Sequence, residues 1–214
     1  GCGATDVALL APRQCLETKL FGVPLLITRT GYTGELGYEL YVPADEALRI
    51  WNELLRRGRP SGLKPAGLGA RDLLRLEMAY LLYGNDISEE TTPVEAGAEW
   101  VVDFQKGDFI GRETLRRQKD HRVDRRLVAF ELLEKAVPRH GFKIVSGVQS
   151  DRHAIGEVTS GNFSPILQKG IGLGYVPPAV AAVGTQISIE IRGRIVPAIV
   201  VKPPFYRKRA ASSA

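Results

Sequence analysis

Cysteine and histidine are scarce in this sequence, and its apolar runs are short. The chain of 214 residues has two cysteines and three histidines. Cys2 and Cys15 form neither a disulfide framework nor a CxxC pair, and they indicate a reducing compartment. His121, His140 and His153 lack the spacing of metal ligands, so no metal site is predicted. No apolar run approaches the length of a membrane span, so we expect no membrane partner.

The overall composition is that of a soluble globular protein with one or two domains. Hydrophobic residues make up 44% of the chain and charged residues 25%. The net charge of +5 suits an acidic partner or an anionic ligand. The first residues carry no basic signal-peptide region, and Gly1 is not a start methionine. We therefore expect the chain to begin after a processing event or a truncation.

Two apolar segments on either side of a glycine-rich turn predict a β-hairpin. The strands are Val23–Arg29 and Gly37–Val42, and the turn holds GYTGELG. Alternation in the second strand places Glu39 on the face opposite Leu40. A carboxylate there can accept two hydrogen bonds from a planar N–H/NH2 edge, such as that of a pterin. The alternative is a hairpin whose glutamate is solvated.

Three helices and a short strand are predicted between the hairpin and residue 122. The first helix covers about 44–57, and its apolar stripe consists of Leu48, Trp51 and Leu55. The second covers about 67–79. A short strand is predicted at Trp100–Phe104 and a short helix at Arg112–Lys119.

The second predicted helix carries a candidate ligand-binding arginine. Arg71 and Arg75 lie one turn apart on one face, which is mildly unfavourable for two like charges. Asp72 can offset Arg75, which leaves Arg71 for an anionic or carbonyl-bearing ligand. The alternative is a solvated helical face.

Two further places have the composition of a ligand site. Trp100 and Tyr83 can form an aromatic wall for a flat ring, although isolated aromatic residues are commonly part of a core. Near the C-terminus, Tyr206 and Arg207 follow a rigid Pro-Pro pair. The segment from this Pro-Pro pair to Arg207 is called the strap below. If the strap folds back over a pocket, Arg207 can hold a carboxylate; the alternative is a frayed basic tail.

The last part of the chain is rich in short β segments separated by turn residues, and a domain boundary is predicted near Arg122. This spacing favours a small antiparallel barrel or sandwich. The predicted strands are Leu127–Leu132, Phe142–Ser146, Ala154–Ser160, Gly172–Val176, Gln186–Ile191 and Ile195–Val201. Residues 208–214 are predicted to be disordered.

A basic segment lies just before these strands. It contains six cationic residues, Arg116, Arg117, Lys119, Arg122, Arg125 and Arg126. No aromatic residues are interleaved with them, so a nucleic-acid stacking surface is not indicated. The segment is interpreted as solvated and interdomain, or alternatively as a docking patch for an acidic protein.

Several motifs in one order resemble the T-proteins of the glycine cleavage system. The similarity covers essentially the whole chain after Phe21. The motifs are RTGYTGELGYEL at Arg29–Leu40, GLGARDLLRLEMAYLLYGND at Gly67–Asp86, TTPVEAG at Thr91–Gly97, KGDFIGRETL at Lys106–Leu115, VPRHG at Val137–Gly141, GEVTSGNFSP at Gly156–Pro165, LGYVPP at Leu173–Pro178 and KPPFYRK at Lys202–Lys208.

The resemblance implies an α+β protein made of parts of three domains. Residues 1–60 would be the end of a ferredoxin-like second domain, and residues 61–122 the returning part of a folate-binding first domain. Residues 123–207 would be the C-terminal antiparallel β-barrel, followed by the tail at 208–214. The family's catalytic aspartate lies upstream of every residue here, so the N-terminal catalytic region is expected to be missing and no catalytic residue is assigned.

The family moves an aminomethyl group from the lipoyl arm of H-protein to tetrahydrofolate, giving methylenetetrahydrofolate and ammonia. The resemblance therefore implies tetrahydrofolate as co-substrate and H-protein as partner. It implies a cytoplasmic protein if the source is bacterial or archaeal, and a mitochondrial one if it is eukaryotic. Positions matching Glu39 and Arg71 bind folate in the family, and Trp100, Tyr206 and Arg207 match residues at the same site.

Two other classes share this module. Flavin-dependent dehydrogenases of sarcosine and dimethylglycine end in a folate-binding module of the same kind, and an upstream flavin-binding region would identify them. A non-catalytic folate-binding relative assists iron–sulfur protein maturation. Those relatives carry a cysteine directly after the matching Lys-Gly, where this chain has Asp108 after Gly107.

Overall fold

The computed structural model describes residues 7–146 and 153–207. Cys2 and the predicted disordered tail at 208–214 lie outside the described residues. The chain divides into two compact units, one ending at Leu74 and the other beginning at Arg75. The division falls inside a helix, and each unit has its own hydrophobic core.

The first unit is built on a three-stranded antiparallel sheet. Its strands are β1 (Cys15–Leu20), β2 (Val23–Thr28) and β3 (Glu39–Tyr41), in the order β1-β2-β3. Leu26 pairs with Tyr41 and Thr28 with Glu39, which confirms the predicted hairpin. Strand β1 was not predicted, although its exposed and half-buried residues alternate as in an ordinary strand.

One face of this sheet is covered by a helix. Val23, Leu25 and Ile27 point to one face and form a buried cluster with Ile50 of helix α1 (Ala47–Gly58). The side chains of alternate residues therefore reach the opposite face. Glu39 is exposed there, as the alternation predicts.

Helix α1 confirms the predicted helix but turns a different face to the core. The predicted stripe of Leu48, Trp51 and Leu55 is wrong at its first two residues, whose side chains are 71% and 50% exposed, whereas Leu55 is half-buried. Ile50 and Leu54 face the sheet instead. Both sets have helical spacing, so periodicity alone does not say which of them the sheet covers.

Two more helices follow. Helix α2 (Leu68–Glu77) confirms the second predicted helix, and helix α3 (Arg112–His121) confirms the short one. The strand predicted at Trp100–Phe104 is wrong, because Glu99–Val101 forms one turn of 3-10 helix. A three-residue apolar run holds too little information to separate the two.

The second unit contains a closed six-stranded antiparallel barrel in the order β4-β7-β6-β5-β8-β9, and β9 returns to pair with β4. Each predicted β segment supplies one strand, and the barrel form is now established. The strands are β4 (Arg126–Leu132), β5 (Lys143–Ser146), β6 (His153–Ser164), β7 (Lys169–Val176), β8 (Gln186–Ile191) and β9 (Arg194–Val201).

Apolar side chains fill the barrel interior, where the backbone strands approach closely. Phe130, Ile144 and Ile189 are fully buried in this cluster. A methyl group on Gly172 would lie 2.4 Å from Cζ of Phe130, so only glycine fits there. The barrel is therefore a packed core, and ligand-binding residues must lie on its outside or on attached segments.

Candidate functional site

Glu39 lies at the start of β3 with an exposed side chain. The Thr30 hydroxyl donates a hydrogen bond to Oε2 of Glu39. Thr30 in turn shares a hydrogen bond with the Thr28 hydroxyl over 2.5 Å. A carboxylate has two oxygens with about four acceptor positions, so Glu39 keeps acceptor capacity for N–H donors of a ligand.

Arg71 lies in the first turn of α2 and stacks on an aromatic ring. Its Cζ lies 4.7 Å from the ring centroid of Tyr32, within the glycine-rich turn that leads to Glu39. Stacking uses the face of the guanidinium, whereas its N–H donors lie in the plane. The structure thus joins the two predicted segments of the first unit and gives Arg71 a fixed support.

Trp100 and Tyr83 are both on the surface of the second unit. Trp100 is 84% exposed and Tyr83 is 65% exposed, so the interpretation as core residues is wrong. An indole with this exposure leaves a large apolar surface in water. Such a surface suits a flat ligand or a partner.

The C-terminal strap does fold back onto the second unit. The Tyr206 N–H donates to the main-chain carbonyl of Glu77, the last residue of α2, over 3.0 Å. Phe205 packs against a buried cluster that contains Leu76. Arg207 follows with an exposed side chain, so the interpretation as a frayed tail does not hold for residues up to 207.

The strap borders an open surface depression of about 690 Å³. Its walls are Ile166, Leu167, Phe205, Tyr206 and Arg207. Apolar and aromatic groups form most of the wall, and Arg207 adds a cation at the end of the strap. This combination suits a ligand that has a hydrocarbon or aromatic part and an anionic group.

A buried ion pair connects Arg75 of α2 to the YGND segment (Tyr83–Asp86) in the second unit. Arg75 Nη1 lies 2.6 Å from Asp86 Oδ2, and the two side chains are 1% and 0% exposed. Arg75 also donates to the Tyr80 carbonyl and, through Nη2, to the Ser160 hydroxyl at 2.8 Å. The expectation that Arg75 is balanced within its helix by Asp72 therefore missed its main charged partner.

Asp86 is the centre of this network. Its Oδ1 accepts the Thr159 hydroxyl at 2.5 Å, and its Oδ2 also accepts the Leu82 N–H at 2.9 Å. The phenol of Tyr175 donates to its main-chain carbonyl at 2.9 Å. The sequence analysis gave Asp86 no role beyond its place in a family motif. Arg75 and Asp86 are 11 residues apart along the chain, and such a separation produces no periodic pattern from which the pair could have been predicted.

A second depression, of about 510 Å³, lies beside Tyr175 and Arg125. The Arg125 guanidinium lies over the Tyr175 ring at 4.8 Å and pairs with Glu95 at 2.9 Å. Burial raises the pKa of Tyr175 to about 12, which keeps the phenol protonated. Burial also pushes the pKa of Glu95 upward, but hydrogen bonds from Thr92 and Arg125 outweigh it and lower that pKa.

The basic segment is partly neutralised by its own neighbours. Lys119 pairs with Glu99 at 2.7 Å, and Arg125 pairs with Glu95. Arg116 and Arg117 are exposed on α3. The docking patch for an acidic protein stays a prediction.

His140 and the remaining cysteine have ordinary surroundings. His140 Nδ1 lies 2.8 Å from the Thr159 carbonyl, and Cys15 is a free, exposed thiol. Within residues 7–146 and 153–207 no three His, Cys, Asp or Glu side chains gather as metal ligands would. Across the same two ranges, no helix is both long and apolar enough to span a bilayer.

Comparison with protein families gives two matches that follow one another along the chain. The GCVT N-terminal domain matches residues 5–106, and the glycine cleavage T-protein C-terminal barrel domain matches residues 125–207. The second match coincides with the closed barrel described above. The chain belongs to the glycine cleavage T-protein family.

Curated relatives carry the name aminomethyltransferase. The chain is 51% identical to that of Thermosynechococcus vestitus, over 88% of this chain and 50% of the relative. It is 50% identical to that of Bacteroides thetaiotaomicron, over 85% of this chain and 50% of the relative. The chain therefore spans about half the length of these curated relatives.

A solved structure supports the same relationship at the level of the fold. The glycine cleavage system aminomethyltransferase T from Bartonella henselae superimposes with a TM-score of 0.82 at 32% identity. The alignment covers 94% of this chain and 55% of that one.

Proposed function

We propose that this chain is the C-terminal part of an aminomethyltransferase of glycine cleavage. In this reaction an aminomethyl group leaves the lipoyl arm of H-protein and is transferred to tetrahydrofolate, giving methylenetetrahydrofolate, ammonia and dihydrolipoyl H-protein. One observation carries the proposal. Both family domains match in order along one chain, and the relatives named aminomethyltransferase are about half identical to it.

The activity belongs to the whole protein rather than to the chain alone. The chain spans 50% of the length of the relative from Thermosynechococcus vestitus. We propose that the chain alone binds tetrahydrofolate weakly and does not turn over. Addition of the N-terminal half of that relative is expected to restore aminomethyl transfer, measured as ammonia released from aminomethylated H-protein.

The proposed folate ligands are Glu39 and Arg71 in the first unit and Trp100, Tyr206 and Arg207 in the second. Glu39 accepts N–H donors from the pterin edge, because its carboxylate has acceptor capacity beyond Thr30. Arg71 and Arg207 bind polar and carboxylate groups of folate, since a planar guanidinium matches such groups. Trp100 and Tyr206 supply aromatic contact surface.

The proposed domain boundaries within the chain lie at residues 60, 122 and 207. H-protein and folate are the proposed partners, with no role for nucleic acid or membrane. The proposed compartment is the cytoplasm for a bacterial or archaeal source and the mitochondrion for a eukaryotic one.

The Glu39→Ala variant tests the pterin contact directly. Loss of hydrogen bonds to a charged acceptor is expected to raise the Kd for tetrahydrofolate by at least about tenfold. Ligand-observed NMR suits the measurement because it detects weak binding. Glu134→Ala in the barrel unit is the matched control, since Glu134 is an exposed glutamate that no predicted ligand contact involves.

The two variants must differ for the proposal to stand. Equal tetrahydrofolate affinity in Glu39→Ala and the unaltered chain would remove Glu39 from the site. Equal weakening in both variants would indicate a general charge effect instead of a pterin contact.

A further inference from the structure

Glu77 is a buried carboxylate that the proposed reaction does not use. It is the last residue of α2 and its side chain is 2% exposed. The Ser164 hydroxyl donates a hydrogen bond to Glu77 Oε1 over 2.5 Å. Burial of a carboxylate is unfavourable without such donors, so the position of Glu77 depends on Ser164.

The Ser164 hydroxyl both donates and accepts a hydrogen bond. It is the last residue of β6 and is fully buried. Besides donating to Glu77, its Oγ accepts the Leu167 N–H at 3.1 Å. The turn that contains Leu167 is thereby tied to the end of α2.

Glu77 also holds the strap, through its main chain. Its carbonyl accepts the Tyr206 N–H at 3.0 Å. Leu167 and Tyr206 lie on the walls of the same 690 Å³ depression, which Arg207 also lines. Glu77 is thus linked to one wall through Ser164 and to the other wall through its own carbonyl.

We propose that Glu77 and Ser164 are positioning residues that hold Tyr206 and Arg207 in the arrangement that binds the ligand. The inference rests on the proposed function, since it takes Tyr206 and Arg207 to be folate ligands. Neither Glu77 nor Ser164 needs to touch the folate. They act by ordering the strap beforehand, so that binding does not have to order it.

Without the Ser164 hydrogen bond, the apolar packing of Phe205 near Leu76 is kept. The Glu77 carbonyl that accepts the Tyr206 N–H is then held less firmly, because the side chain of Glu77 has lost its donor. Arg207 then samples more positions before binding and must be ordered when folate enters. An ordering cost of that kind corresponds to roughly three- to tenfold in Kd.

The test compares Ser164→Ala with Glu77→Gln in the chain of 214 residues. Ser164→Ala removes the donor, whereas the amide oxygen of Glu77→Gln still accepts from Ser164. Ser188→Ala, a half-buried serine of β8, is the control for loss of a hydroxyl in the barrel. Exchange of the Tyr206 amide hydrogen by NMR reports the anchor, and titration with tetrahydrofolate reports its effect on binding. Thermal unfolding followed by circular dichroism is used to choose a temperature at which every variant is folded.

The expected result is faster Tyr206 amide exchange and a roughly three- to tenfold higher Kd in Ser164→Ala. Glu77→Gln and Ser188→Ala are expected to stay close to the unaltered chain. In an Arg207→Ala background, Ser164→Ala is expected to cause a smaller loss than in the unaltered chain, because only Tyr206 is left to position. A purely structural role would leave the tetrahydrofolate Kd unchanged while the variants remain folded.

Unchanged Tyr206 exchange in Ser164→Ala would overturn the proposal, and so would an equal loss of affinity with and without Arg207. Failure of the proposed function is recognised separately, in the unaltered chain. If that chain does not bind tetrahydrofolate at all, the assignment of Tyr206 and Arg207 as folate ligands is wrong, and the positioning role is overturned with it.

Discussion

Asp86 accepts hydrogen bonds at both carboxylate oxygens inside the second unit, so Asp86→Ala is an informative single substitution. The change removes the acceptor for Arg75, for the Thr159 hydroxyl and for the Leu82 N–H. Arg75 remains charged and is 1% exposed. The variant therefore takes the Asp86 carboxylate away from a buried cation and from two further donors, the Thr159 hydroxyl and the Leu82 N–H.

The expected loss of stability follows from that burial. Breaking a buried ion pair by removing one partner costs about 3–5 kcal/mol. A domain is stable by roughly 5–15 kcal/mol in total, so Asp86→Ala should lose a large part of the unfolding free energy. Replacing both partners, as Arg75→Met with Asp86→Leu, should recover part of the loss because the buried charge itself is removed.

Urea unfolding followed by far-UV circular dichroism measures these differences, and the slope with urea checks that the variants expose similar surface. Lys169→Met is the control in the same unit. The Lys169–Glu131 pair has a similar contact distance, 2.7 Å against 2.6 Å, but an exposed lysine. Loss of such a surface pair costs about 0–1 kcal/mol.

Two results would refute the reasoning. One is an Asp86→Ala variant that loses only about 1 kcal/mol, the range of a surface pair. The other is a double variant no more stable than Asp86→Ala, which would mean that the loss of the carboxylate partner of Arg75 is not the cause.

Three further changes test the backbone and the buried phenol. Gly156→Ala places a methyl 1.9 Å from the Tyr175 carbonyl oxygen and is expected to destabilise the barrel by about 1–3 kcal/mol or more in urea unfolding. Gly69→Ala in α2 meets nothing within 4 Å and should stabilise the chain by about 0.5–1 kcal/mol in the same assay. Because the Tyr175 pKa is raised from 10.0 to about 12, its contribution to stability is complete below pH 10 and is lost as the pH rises toward 12. A titration followed by tyrosinate absorbance checks this, and the Tyr175→Phe variant should lack the phenol that ionises near pH 12.

The glycine pair and the titration each have a contrary outcome. Equal unfolding midpoints for Gly156→Ala and the unaltered chain would mean that β6 and β7 can separate locally without loss. A lower stability of Gly69→Ala would mean that the space around this helix position is already used. A Tyr175→Phe titration identical to that of the unaltered chain would show that Tyr175 does not titrate late.

Local sequence patterns were sufficient for most of the secondary structure. Short apolar or β-rich runs bounded by turn residues located the hairpin and the six barrel strands. Helical spacing located α1. The same spacing selected the wrong face of α1, because Leu48 and Trp51 satisfy it as well as Ile50 and Leu54 do.

The candidate site was predicted in its residues but not in its supports. Glu39 and Arg71 came from chemistry and from resemblance, yet nothing in the sequence indicated that Thr30 donates to Glu39 or that Arg71 stacks on Tyr32. Whether those residues bind folate stays a prediction. The supports are contacts between side chains separated by turns, which leave no period in the sequence.

By itself, the sequence determined which family this chain belongs to, most of its strands and helices, and which residues carry the proposed chemistry. These properties depend on residue type and on spacing over a few positions. Only the tertiary structure decided that Arg75 pairs with Asp86, that Ser164 donates to Glu77 and that the strap is anchored at Tyr206. Such pairings join residues 11 to about 130 positions apart, and a buried polar group finds its partner only where folding brings another one within hydrogen-bond distance.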